Sequence, residues 1–399
     1  MKKKIRNVII MLIIGVMVVV GVEIYGGSNK NEKEVKSNVL NVLYTDKKLE
    51  PYISAVTKAF EKTSDSQVKA QYISQTECFA RVNQSNVEDA KDKTDLFIID
   101  SQFLEEAVKA GLAEEIGSSI HQNKYYKTGI NATVYHDKTV AYPLCYDVSF
   151  LIYNSNYINK VPNSFDEILE FANEFSNDNV NNIMKWDVKK LFYNYGFVGK
   201  YLDVGGTFGD EKTVDIVNEK SKNALTYYRN LSQYFSIDFN KVNQEEIISE
   251  FVDGKTIFTI GDMEYLSLIE DRIPYDITPL PNLDNDLETA SLAYTKTAVI
   301  NPYSENVEAS KLLAEYMTIT KAAEMIELTG YMPCAIQKEY KDPRYEKVAQ
   351  SYEKAKNLPK LMSASDYWVY LEICLNNIWE GKNIKKELNN INNILQKVK

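Results

Sequence analysis

The chain has 399 residues, enough for two domains or one large bilobed body with a sizeable core. Hydrophobic residues make up 44% and aromatic residues 12%, a globular composition that excludes a disordered or low-complexity body. A formal net charge of −10 argues against nucleic-acid binding, which needs clustered Lys or Arg to displace counterions from phosphates.

At the N-terminus, Lys2, Lys3, Lys4 and Arg6 precede the apolar run 8–22, a charged n-region followed by an h-region. The run is shorter than the ~20 residues that cross a bilayer comfortably, although Ile24 and Tyr25 extend it past Glu23. No cysteine ends it, so a bacterial lipid anchor is not expected, and large residues precede Gly26, Gly27 and Ser28 where a cleavage signal would need small ones. Residues 1–27 therefore read as a membrane signal anchor, with a cleaved signal peptide as the alternative. Either leaves the body extracytoplasmic. Residues 28–38, SNKNEKEVKSN, are charged and aperiodic and read as a solvated spacer.

The body opens with strand VLNVLYT (39–45), followed by a helix over 50–62 in which Ile53, Val56, Thr57 and Phe60 recur at helical spacing. VKAQYIS (68–74) and TDLFIID (94–100) are short strands, and the helix after the second stops at Gly111. Strands alternating with helices imply an α/β lobe with a largely parallel sheet. AYPLCYDVSFLIYNSNYI (141–158) reads as one buried strand, yet Asp147 interrupts it. In VPNSFDEILEFANEF, Ser164 caps a helix and Glu167 completes a capping box. EEIISEFVDGKTIFTIGD gives a helix, a turn and strand 256–260. An extended DITPLP segment follows, then strand TKTAVI and a helical C-terminal region with Leu388, Ile391, Leu395 and Val398 on one face. Cys78, Cys145, Cys334 and Cys374 are far apart and read as isolated buried thiols.

These segments, in this order, resemble the family 1 extracellular solute-binding proteins of ABC transporters, the maltose-binding-protein type. The resemblance rests on AYPLCYDVSFLIYNSNYI, VPNSFDEI, NYGFVGKYLDVGGTF, EFVDGKTIFTIGD, DITPLP, and MSASDYW before a helix ending in WEGKNIKKEL. It implies a two-lobed α/β periplasmic-binding-protein fold of type II with a hinge between lobes. One lobe would hold 39–146 and 294–335, the other 147–293 and 336–399. It implies a monomer that captures a carbohydrate, an oligosaccharide above all, and delivers it to an ABC transporter permease, with no cofactor and no resident metal.

The same resemblance places Asp147 at a chain crossing between lobes, where ligands sit in open α/β sheets, and matches it to an acidic sugar ligand of the family. Asp46 and Asp100 follow strands of the same lobe and are expected at the cleft, with helix capping as the competing role. Tyr146, Tyr193, Tyr195 and Phe197 stack on a ligand or fill core. Trp368, with Tyr367, matches the family's stacking motif, and Asp262 and Tyr265 follow strand 256–260, where the family often places an aromatic. Trp379 reads as core, and Trp186 matches no motif.

Catalysis finds little support: no HExxH or phosphate-cradling GxxxxGK[ST] occurs, and His121 and His136 lack metal-ligand spacing. Two rival readings remain. One is a binding protein or sensor for a non-sugar solute; the other is a secreted glycan-cleaving enzyme that uses paired carboxylates.

Overall fold

The computed structural model describes residues 38–87, 92–117, 120–204, 214–360 and 367–397. The anchor and spacer, part of the NYGFVGKYLDVGGTF and MSASDYW motifs, and Val398 lie outside these residues. In chain order the strands are β1 (Asn38–Tyr44), β2 (Ser66–Tyr72), β3 (Leu96–Asp100), the small hairpin β4 (Val134–Tyr135) and β5 (Lys138–Thr139), β6 (Tyr142–Val148) and β7 (Phe150–Asn154). They continue as β8 (Asn182–Met184), β9 (Thr256–Gly261), β10 (Tyr275–Thr278), β11 (Leu292–Ile300), β12 (Met332–Pro333) and β13 (Lys356–Asn357).

Two sheets build a two-lobed fold. The first runs β12-β6-β11-β3-β1-β2 with β13 also paired to β11; the second runs β10-β7-β9-β8. β1 pairs in parallel with β2 and β3, while β11 is antiparallel to β3 and β6. The apolar run 141–158 is two strands rather than one: β6 ends in the first sheet at Val148, and β7 starts in the second at Phe150. Ser149 alone separates them. The chain returns to the first sheet between β10 and β11, and leaves it after β13 for the helix Tyr367–Trp379, which packs on the helices Leu191–Asn194 and Glu219–Phe235.

Local signals explain the elements. The helix Glu50–Glu61 buries Ile53, Val56, Thr57 and Phe60 against the first sheet. Ser164 caps the helix Phe165–Glu174 by accepting from the Glu167 N–H at 3.2 Å. The Glu167 carboxylate, however, turns to the Asn163 N–H at 2.9 Å, one residue before the reciprocal partner of a capping box. Trp186 stacks on Phe197 and meets Trp379 edge-on at 5.1 Å, centring the second lobe's core. All four cysteines are buried and unpaired.

Candidate functional site

Successive residues of a strand face opposite sides of its sheet, and β6 uses this at the crossing. Tyr146 points into the core, ring on ring with Tyr352 at 3.5 Å, and is fully buried. It does not reach the gap expected of it, because it sits one residue out of phase with Asp147. Asp147, partly buried, accepts from the Val148 N–H at 2.9 Å and faces the Met263 N–H at 3.5 Å. Burial, and then the Asp262 carboxylate, hold its pKa well above the usual carboxylate range, with Lys48 opposing.

Asp262 comes from the second sheet. It follows Gly261 at the end of β9, where a Cβ would lie 2.7 Å from the Ile152 Cδ1 and 2.7 Å from the Tyr265 ring, so only glycine permits the approach. One Asp262 oxygen caps the helix Met263–Ile269, accepting from the Glu264 and Tyr265 N–H groups at 3.0 and 3.2 Å. The other accepts from the Tyr193 hydroxyl at 3.0 Å. Burial raises the Asp262 pKa despite these donors. Tyr193 and Tyr265 are themselves buried and meet edge-on at 5.7 Å. They position Asp262 and offer no open ring face.

Asp46 and Asp100 meet through a residue absent from the sequence-level candidates. The Lys296 Nζ lies 2.9 Å from Asp46 Oδ2 and 2.8 Å from Asp100 Oδ1. A register irregularity in β11 falls between Lys296 and Thr297, the kind of bulge that re-aims a side chain. Tyr331 donates to Asp46 Oδ2 at 2.8 Å, and the Lys48 N–H donates to Asp46 Oδ1 at 2.9 Å. Burial alone would raise the Asp46 pKa, but Lys296 and these donors outweigh it and hold the carboxyl below its usual value.

Between the two groups stands Tyr294, which is opposite Asp147 in the β6–β11 register and keeps 36% of its surface exposed. Burial of its phenol beside Asp100, Glu372 and Asp147 pushes its pKa up to about 12. Its ring stacks on Phe192 of the second lobe at 4.8 Å. Glu372 accepts from the Leu191 N–H at 3.0 Å, tying the helix Leu191–Asn194 to the helix Tyr367–Trp379. Trp368, one turn before Glu372, is partly buried 6.1 Å from the Tyr195 ring, whereas Tyr195, Phe197 and Tyr367 are core.

Tyr294 thus lies in the electrostatic reach of Asp100, Asp147 and Glu372, and its ring leads through Phe192 and Tyr193 to Asp262. Sequence reading missed Lys296, Tyr294, Tyr331, Phe192 and Glu372. For the first two a signal existed: Tyr294 and Lys296 alternate on one face of an otherwise apolar strand, as Asp147 does in β6.

The family model for bacterial extracellular solute-binding proteins matches residues 55–356. A maltooligosaccharide ABC transporter solute-binding lipoprotein of Streptococcus pneumoniae is 22% identical over 86% of this chain and 85% of its own length. Among solved structures, a cyclo/maltodextrin-binding protein complexed with maltotetraose superposes with a TM-score of 0.77 at 16% identity, covering 92% of this chain and 98% of that one. The maltose-binding periplasmic protein MalE from Listeria monocytogenes, in complex with maltose, gives 0.74 at 20% identity, covering 90% of this chain and 97% of that one. The family match spans most of the chain, and the folds agree across it: the chain belongs to the bacterial extracellular solute-binding proteins.

Proposed function

We propose that this protein captures a neutral oligosaccharide, of the maltooligosaccharide class, in the gap between its lobes and delivers it to an ABC importer. The observation that carries this reading is the combination of open carboxylate oxygens on Asp100 and Asp147 with the exposed ring of Tyr294. Sugars need both, since their hydroxyls donate in pairs and their C–H faces stack on rings. Trp368 serves as a second stacking ring, and Asp46 and Asp262 position the neighbours they bond.

The lobes meet at Ser149, between β10 and β11, and after β13, so that ligand contacts both lobes only when they close. That differential affinity shifts the population toward the closed form, which the permease recognises. The protein works as a monomer, held outside the cytoplasmic membrane by its N-terminal segment, and binds without cleaving. Calorimetry with maltose, maltotriose and maltotetraose, paired with small-angle scattering, tests this. Binding heat and a smaller radius of gyration with at least one sugar are expected. Silence with all three and an unchanged radius overturns it, and release of shorter sugars revives the glycan-cleaving alternative.

A further inference from the structure

Lys296 joins the two strand-end acids of the first sheet. Its ammonium sits between two carboxylates within 2.9 Å of each, and its side chain is only 13% exposed. Both oxygens of Asp46 are engaged, by Lys296, Tyr331 and the Lys48 N–H. Asp100 uses only Oδ1, leaving Oδ2 without a hydrogen bond among the described residues. One open acceptor therefore remains from two acids, and the negative charge of the pair is halved.

Two partly buried carboxylates this close, without the lysine, would repel each other and attract a cation, because charge interactions strengthen away from water. We propose that Lys296 determines the charge class of the ligand: it occupies the place between Asp46 and Asp100 that a ligand ammonium would take, so the cleft accepts neutral sugars and rejects amino sugars and polyamines. The inference rests on the carbohydrate reading for its neutral partner, but its cationic half can be tested without it.

The test is Lys296→Met, which keeps an unbranched chain of similar length and removes the charge, with Lys296→Arg as the control. Calorimetry on the full chain at mildly acidic pH would compare maltotriose, the fully deacetylated glucosamine trimer and spermidine. The wild-type and Arg chains are expected to prefer maltotriose. The Met chain is expected to gain at least about tenfold for the glucosamine trimer or spermidine. A folded Met chain with unchanged preference, or a wild-type chain that binds spermidine as tightly as maltotriose, overturns the proposal. If no chain binds maltotriose but the Met chain gains cation binding, the carbohydrate reading fails and this one stands. Should the Met chain not fold, the double variant Asp46→Asn, Asp100→Asn leaves the ammonium unpaired and is expected to gain affinity for a galacturonic acid trimer. No gain there overturns the proposal equally.

Discussion

Phe192 and Tyr294 lie ring on ring, 4.8 Å between centroids and 11° from parallel, and they come from opposite lobes. Rings in direct contact leave no space for a sugar between them, so a ligand must stack on the open side of Tyr294 or part the pair. Tyr294→Ala is expected to weaken maltotriose binding roughly tenfold, in line with the ~0.5 to 1.5 kcal/mol that aromatic stacking contributes beyond area. Because Tyr294 keeps 36% of its surface exposed, thermal stability should change less than for a core ring. An unaltered dissociation constant by calorimetry would remove Tyr294 from the site.

Asp147 couples stability to pH. Burial and Asp262 raise its folded pKa above the unfolded value, so the folded chain holds a proton that the unfolded chain has released. Stability from this group is fully present at low pH and is lost as pH rises from about 4 through the raised folded pKa. Asp147→Asn lacks that loss and is expected to be the more stable apo protein at pH 7. Its sugar affinity should fall severalfold, since the amide replaces one acceptor oxygen and an ordinary hydrogen bond contributes ~0.5 to 1.5 kcal/mol. Urea unfolding at several pH values would check the first half; a stability gap that does not widen with pH would contradict it.

What the sequence revealed and what it concealed follow the range of the forces involved. The cap at Ser164 is legible because donor and acceptor lie three residues apart. The division of 141–158 at Ser149 is not, because β6 pairs with β11 and β12 while β7 pairs with β9 and β10, all remote in sequence. Asp46 and Asp100 were visible as strand-end acids, but the lysine that joins them lies 196 residues beyond the second. Tyr146 shows the opposite fault: strand alternation alone set it on the face away from Asp147.

Trp186 holds the ligand-side helix from beneath. Its Nε1–H donates to the Asn194 Oδ1 at 3.0 Å, and Asn194 in turn donates to the Val188 carbonyl at 2.7 Å, fixing the helix that carries Phe192 and Tyr193. Trp186→Phe keeps much of the apolar contact and strands a buried amide oxygen, which costs ~1 to 3 kcal/mol. Lower stability is therefore expected, with a smaller loss of sugar affinity than Tyr294→Ala causes. A variant of wild-type stability would show that the Asn194 bond carries no weight.

Lys360 supplies the clearest stability test away from the cleft. It is fully buried, its Nζ donates to the Asn131 carbonyl at 2.9 Å, and burial lowers its pKa from 10.5 to about 7. Between those values the unfolded chain binds a proton that the folded chain lacks, so this group makes stability rise with pH from about 7 upward. Lys360→Met removes the ionisable group and is expected to be the more stable protein at pH 7 by on the order of a few kcal/mol, reduced by the loss of the Asn131 bond. The advantage should shrink as pH approaches 9, a window chosen to lie below the range in which tyrosines of the unfolded chain ionise. Denaturant unfolding of both chains at pH 7, 8 and 9 measures the gap, with wild type gaining on the variant at each step. A gap constant across that range would mean that Lys360 keeps its proton in the folded protein.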